Sequence, residues 1–275
     1  MNSLLIPTDF SECAKYAENV GIELAKKYGA KLYLFHHVDI PSHWESMTTS
    51  EREKHSVGLK RMYAAEKSLN EIRARIPSGI EVETHLTGGN WIERVAQYAE
   101  KKNIDMIVIG SHGASGKNEF FIGSNTQKVV RMVHCPTMII KEPIEKLDFK
   151  KVIYASTFDT KEKEAFLKFR NFIKHFMPEF HLLTIHTSGF FDGPISLQRE
   201  ALKDFAELCK PFTTHTHIID HFTIDGGIRA FAREINADLI AVSNHYKRPL
   251  KRMLVGSNVE TLVNHSEIPV LTIDF

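Results

Sequence analysis

Met106-Ile107-Val108-Ile109-Gly110-Ser111-His112-Gly113 is the stretch on which the fold turns. Four consecutive apolar residues suit a strand covered on both faces, as strands of parallel sheets are. The run stops at a glycine, and nine residues lie between Gly113 and a second pair, Gly123-Ser124, which opens a helical stretch. Working outward, Leu4–Pro7, Leu32–Val38, Ile80–Leu86 and Thr137–Lys141 read as further strands. Glu12–Tyr28, Glu51–Ile76, Trp91–Lys102 and Ser124–Val133 read as helices between them. In the first helix Tyr16, Val20 and Leu24 form one apolar stripe, and Gly29 stands where a C-cap glycine belongs. Strands alternating with helices over short connections predict an α/β domain with a parallel sheet.

The pattern then repeats. Lys151–Ala155 parallels the opening strand, His181–His186 the second, and Asp238–Val242 the glycine-ended strand. Gly256-Ser257-Asn258 parallels Gly123-Ser124-Asn125. Asp9 maps to Thr157 at an offset of 148, but Gly123 maps to Gly256 at an offset of 133. The second copy has therefore lost residues upstream of its fourth strand, and the counterpart of Pro41–Pro77 is the expected place. A repeat this long is a duplicated domain and not a solenoid, whose period is about 20–50 residues. The expected division is 1–142, a linker at 143–149, and 150–275.

The whole chain has 275 residues, 43% hydrophobic and 25% charged, which is globular composition. Its net charge of +1 leaves no global field for nucleic acid or an anionic membrane. Three scattered cysteines, Cys13, Cys135 and Cys209, make neither a disulfide framework nor a four-cysteine zinc site, and fit a reducing cytoplasm. The N-terminus lacks a signal-peptide pattern, and no apolar run approaches the roughly 20 residues that span a bilayer.

The glycine stretch has the makings of a phosphate site. Gly110 and Gly113 permit close backbone approach, and Gly123-Ser124 sits at a helix N-terminus, where free N–H groups favour an anion. The Ser124 hydroxyl either adds a donor or caps the helix. The other half of such a site would come from Pro7-Thr8-Asp9, at the carboxyl end of the first strand, where ligands of doubly wound sheets bind. Asp9 would accept bonds from a base or ribose; the competing reading makes it a helix cap, shared with Ser11. Other motifs fail. Gly116-Lys117-Asn118 lacks the Ser/Thr and upstream glycine of a P-loop, GxSxG is absent, and no GxGxxG follows the first strand.

Taken in order, Gly110-x2-Gly113-x9-Gly123-Ser124 resembles the nucleotide motif of the universal stress protein family. Ile6-Pro7-Thr8-Asp9-Phe10-Ser11, His37-Val38 and Cys135-Pro136-Thr137-Met138-Ile139-Ile140 resemble it too. Both copies resemble family domains. The resemblance implies two Rossmann-like domains of the adenine-nucleotide α-hydrolase-like type, each a five-stranded parallel sheet in order 3-2-1-4-5. It implies ATP or another adenine nucleotide in the first copy, with Mg or Mn as accompanying cation. Pro7, Thr8, Asp9 and Val38 would surround base and ribose; Gly110, His112, Gly113, Gly123, Ser124 and Asn125 would surround phosphates. It also implies an intrachain pseudo-dimer through the fifth strands, Thr137–Lys141 and Pro269–Ile273, with homodimerisation open as well.

The expected function is a cytoplasmic stress-response protein that holds ATP and hydrolyses it slowly if at all. No acidic pair flanks the glycine stretch to organise phosphoryl transfer, although Ser124 could accept a phosphoryl group. The alternatives are an ATP-cleaving or self-phosphorylating enzyme, which would need an activating motif absent after the first strand, and a scaffold indifferent to nucleotide. In the second copy Gly110 becomes Ser243, Gly113 becomes Tyr246, Pro7 becomes Ala155 and Asp9 becomes Thr157, so ATP is not expected there.

Several residues tempt without deciding. His112 contacts phosphate or merely packs its loop. Lys117 neutralises a phosphate or is a solvated loop lysine. His215, His217 and His221 share one strand face, where zinc competes with simple exposure. Lys247, Arg248, Lys251 and Arg252 form either an anion site or a solvated charged loop. Trp91 and Phe120-Phe121-Ile122 read as packing anchors.

Overall fold

The computed structural model describes residues 1–41, 43–111, 124–187, 194–244 and 259–274. The predicted anchors Phe120-Phe121-Ile122, together with Lys117 and the four basic residues from Lys247 to Arg252, lie outside them. Two compact units result, the second taking up the chain at Pro136.

In the first unit β1 (Ser3–Pro7), β2 (Lys31–His37), β3 (Val82–Thr87) and β4 (Met106–Gly110) run parallel in the order β3-β2-β1-β4. Every residue of β1 and β4 is buried, which explains their unbroken apolar runs. α1 (Glu12–Tyr28) starts where the Ser11 side chain accepts from Ala14 N and stops at Gly29, whose φ of 65° supplies the left-handed cap. Its buried face is Ala14, Ala17, Glu18, Val20, Gly21, Leu24 and Ala25. The helix expected over Glu51–Ile76 is two helices, α2 (Thr49–Lys54) and α3 (Ser56–Arg75). A capping box between Thr48 and Glu51 starts the first, and His55, at φ −98° and ψ 57°, breaks the path between them. α4 (Trp91–Lys101) and α5 (Ser124–Met132) complete this unit.

The second unit holds β5 (Thr137–Ile140), β6 (Lys151–Ala155), β7 (Glu179–His186), β8 (Thr214–Asp220), β9 (Leu239–Asn244) and β10 (Val270–Asp274). Their order is β5-β10-β9-β6-β7-β8. All neighbours are parallel except β5 and β10, whose antiparallel register pairs Val270 with Ile139 and Leu271 with Met138. The second copy thus realises the expected order 3-2-1-4-5 as β8-β7-β6-β9-β10. The first realises 3-2-1-4 in its own unit, and its fifth strand, β5, packs in the second. The expected pairing of the two fifth strands is present.

α6 (Lys163–Ile173), α7 (Ile195–Leu208), α8 (Ile224–Ile235) and a helical segment at 259–265 cover this sheet. Among the described residues, α7 alone stands where the first copy has α2 and α3, so the shortening falls where the offsets place it. The core is aromatic: Tyr154 meets Phe166 at 4.9 Å and Phe169 at 5.3 Å between ring centroids, and Phe158 meets Phe205 at 5.1 Å.

Candidate functional site

β1 and β4 are parallel neighbours, Leu4 opposite Met106 and Leu5 opposite Ile107, so their carboxyl ends lie side by side. Pro7-Thr8-Asp9 and Gly110-Ser111 leave the sheet at that edge. Val38 follows β2 at the same edge; it is buried, and its N–H donates to Thr87 O at 2.8 Å.

The turn after β1 is held by one hydroxyl. Thr8 Oγ1 donates to Glu18 Oε1 at 2.7 Å and accepts the Phe10 amide at 3.1 Å. Phe10 is thereby fixed at φ 64°, its ring 4.2 Å from that of His36, while His36 Nδ1 donates to Thr8 O at 2.7 Å. Burial raises the Glu18 pKa above the ordinary carboxylate value, and burial also lowers that of His36. Thr8 therefore shapes the turn, and its hydroxyl faces Glu18. Asp9 is exposed, and its Oδ1 accepts from Ser11 N at 3.1 Å. The helix cap expected of Asp9 or Ser11 belongs to Ser11; Asp9 makes the smaller turn before it.

Gly110 has a reason that the sequence does not show. A Cβ there would lie 2.7 Å from the Cys13 carbonyl oxygen and 3.0 Å from Ala14 N, so the first turn of α1 already occupies the space beside it. The Gly110 carbonyl accepts from the buried Thr126 Oγ1 at 2.9 Å, tying β4 to α5. Asn125, beside Thr126, is exposed. His112, Gly113 and Gly123 lie outside the described residues, and Ser124 opens α5.

The second copy repeats the turn. Ser156, the counterpart of Thr8, donates to Glu162 and accepts the Phe158 amide at 3.1 Å, and Phe158 takes φ 57°. Two departures follow. Ser243 stands at the place of Gly110, and the counterpart of the first α1 turn is a 3-10 turn at Thr160–Glu162. His186, at the place of Val38, pairs with Asp220 Oδ1 at 2.8 Å and sets a polar pair where the first copy has an apolar residue.

His215 and His217 lie on β8, and His221 falls just beyond it, where its Nδ1 accepts from Thr223 N at 3.1 Å. Strand register adds a residue that sequence reasoning missed: His181, opposite His215 on β7. His181 Nδ1 lies 3.2 Å from His217 Nε2, and Glu179 Oε1 is 2.9 Å from His215 Nε2. Among the described residues no group of three or more His, Cys, Asp or Glu side chains could hold a metal ion. No helix among them is long and apolar enough to cross a membrane.

The fold has solved counterparts. A universal stress protein from Archaeoglobus fulgidus superposes with a TM-score of 0.73 at 22% identity, over 99% of this chain and 98% of its own. A Pseudomonas aeruginosa protein of unknown function gives 0.69 at 15% identity, over 100% of this chain and 92% of its own. By sequence, a universal stress protein of Methanocaldococcus jannaschii is 28% identical over 148 residues, 51% of this chain and 82% of that protein. One of Bacillus subtilis is 27% identical over 154 residues, 51% of this chain and 99% of that protein. Single-length relatives each match about half the chain because the chain holds the unit twice. The profile of the universal stress protein family matches residues 1–141 and again 150–274, and the chain therefore belongs to that family, as a tandem of two of its domains.

Proposed function

We propose that the chain is a cytoplasmic stress-response regulatory protein that binds ATP, or another adenine nucleotide, in its first copy and hydrolyses it slowly if at all. The observation that carries this reading is the parallel pairing of β1 with both β2 and β4. It brings the exposed carboxylate of Asp9 and the buried Val38 to the same sheet edge as Gly110, from which the chain runs on through Gly113 to Gly123-Ser124 and α5. Asp9 and Val38 suit a ribose and a base, one by accepting hydrogen bonds and the other by apolar contact. The amides opening α5, with Gly113 and Gly123 before them, suit phosphates, and His112 and Asn125 flank them. Pro7 and Thr8 set the direction of the turn. Mg or Mn would accompany the phosphates and spread their charge. The domains are taken as 1–142 and 150–275, joined by 143–149.

The second copy does not share this activity. Tyr246, Ser243 and Thr157 replace Gly113, Gly110 and Asp9, and the His186–Asp220 pair replaces the apolar wall. Denaturing the purified protein and identifying the released nucleotide tests the reading. One adenine nucleotide per chain is expected, and two per chain, or binding undiminished by Gly113→Tyr, overturns it.

A further inference from the structure

The two copies close the outer side of their sheets with different chemistry. In the first copy Glu83 of β3 accepts from the Tyr98 hydroxyl at 3.0 Å and pairs with Lys102 at 2.7 Å and Lys31 at 3.0 Å. Lys102 above all, with Lys31 and Tyr98, holds the Glu83 pKa down at about 2, so these pairs keep their charges far into acid.

Strand register and the offset of 133 carry the same places into the second copy. Tyr33 opposite Glu83 becomes His181 opposite His215, and His85 becomes His217. Lys31 becomes Glu179, Tyr98 becomes Phe231 and Lys102 becomes Ile235. The lysines are gone, and three imidazoles and one carboxylate stand in their stead.

The cluster is close-packed. Between centroids the His181 ring lies 5.1 Å from that of His215 and 5.3 Å from that of His217, and Phe231 of α8 covers His217 at 4.5 Å. His181 Nδ1 is 3.2 Å from His217 Nε2, so one of the two nitrogens donates and the other accepts. The pair can take one added proton by changing tautomer. With two, N–H faces N–H, the bond is lost and two cations lie in contact. Three other charged groups bear on the pair. Glu179 of β7 lies 3.4 Å from His181 Nε2 and 2.9 Å from His215 Nε2. Glu179 and Glu234 of α8 favour protonation, and Lys151 of β6 opposes it.

The cluster sits on a strand that has little else to hold it. Among the described residues the one strand neighbour of β8 is β7, and none of the seven residues of β8 is buried. Elements with few buried contacts open at lower free energy than the strands inside a sheet.

We propose that the histidine cluster is an acid-opened latch on β8: at neutral pH the hydrogen bond between His181 and His217 clasps β8 to β7, and protonation of both rings parts these two strands while the rest of the sheet stays paired. In the closed strand, burial and the adjacent His217 hold the His181 pKa at about 4; in the opened strand it returns to about 6.5. Opening therefore takes up protons and becomes easier as pH falls between those values. The latch is independent of ATP binding in the first copy.

Amide hydrogen exchange of the full chain, corrected for the pH dependence of the intrinsic rate, tests it, with β3 as the internal control. Between pH 6.5 and 4.5 protection across 214–220 should fall about tenfold or more relative to 82–87. In the double variant His181→Gln, His217→Gln that relative fall should disappear. A parallel fall in both strands, or an undiminished fall in the double variant, overturns the proposal. Should the double variant fail to fold, the comparison of β8 with β3 in the parent chain decides alone.

Discussion

Thr8 and Glu18, ten residues apart in sequence, form a buried hydroxyl–carboxylate hydrogen bond of 2.7 Å that fixes the turn at the end of β1. Thr8→Val removes the donor to Glu18 and the acceptor of the Phe10 amide together. A loss of about 1–3 kcal/mol in urea unfolding is expected, the usual consequence of orphaning a buried partner. Thr8→Ser keeps both bonds and is expected to cost less than half as much.

Gly110→Ala tests whether that glycine serves α1. The new methyl would meet the Cys13 carbonyl, a backbone atom that cannot rotate away. The expected loss is about 1–3 kcal/mol, typical of overpacking. Stability equal to the parent would show that α1 stands farther from β4 than the structure places it.

Asp9→Ala separates ligand chemistry from turn structure. Asp9 is exposed and accepts from the Ser11 amide in its own turn, and unfolding free energy is expected to change by less than about 1 kcal/mol, as for most exposed sites. Nucleotide affinity, measured by calorimetry, is expected to fall about tenfold, the loss of a charge-assisted hydrogen bond. An unchanged affinity would assign Asp9 to the turn alone.

The histidine cluster predicts a pH dependence. Burial, with His217 beside it, holds the pKa of His181 down at about 4, and burial likewise lowers that of His217. Glu179 acts in the opposite sense, while His215 and Lys151 add to the lowering. The unfolded chain takes up a proton on His181 near its ordinary value of about 6.5, and the folded chain only near 4, so stability falls as pH drops between those values. Above that window His181 is neutral in both states and contributes no slope. His181→Gln should reduce the fall in unfolding free energy between pH 6.5 and 4, and the part that His217 contributes should remain.

Much of this architecture is legible in the residues. The apolar run of β4, the Ser11 and Gly29 boundaries of α1, and the shortening between the second and third strands of the second copy all follow from local chemistry. What escaped reading depends on contacts across the fold. A glycine ending a strand looks the same whether a ligand or a helix approaches it, so the closeness of α1 to Gly110 shows only in the fold. Glu18 lies on the buried side of α1, and only the folded turn shows that Thr8 reaches it. His181 joins His215 and His217 through strand register, which a hydrophobic pattern cannot give.

The antiparallel partnership of β5 with β10 makes the seam of the duplication and the seam of packing fall in different places. β5 is the last strand of the first repeat by descent and a member of the second unit by contact. A fragment ending at residue 142 would carry β5 without its β10 neighbour, an open strand flank that invites self-association. A cut at residue 142 would part β5 from the strand it pairs with, whereas a cut before Pro136 would leave that pair whole.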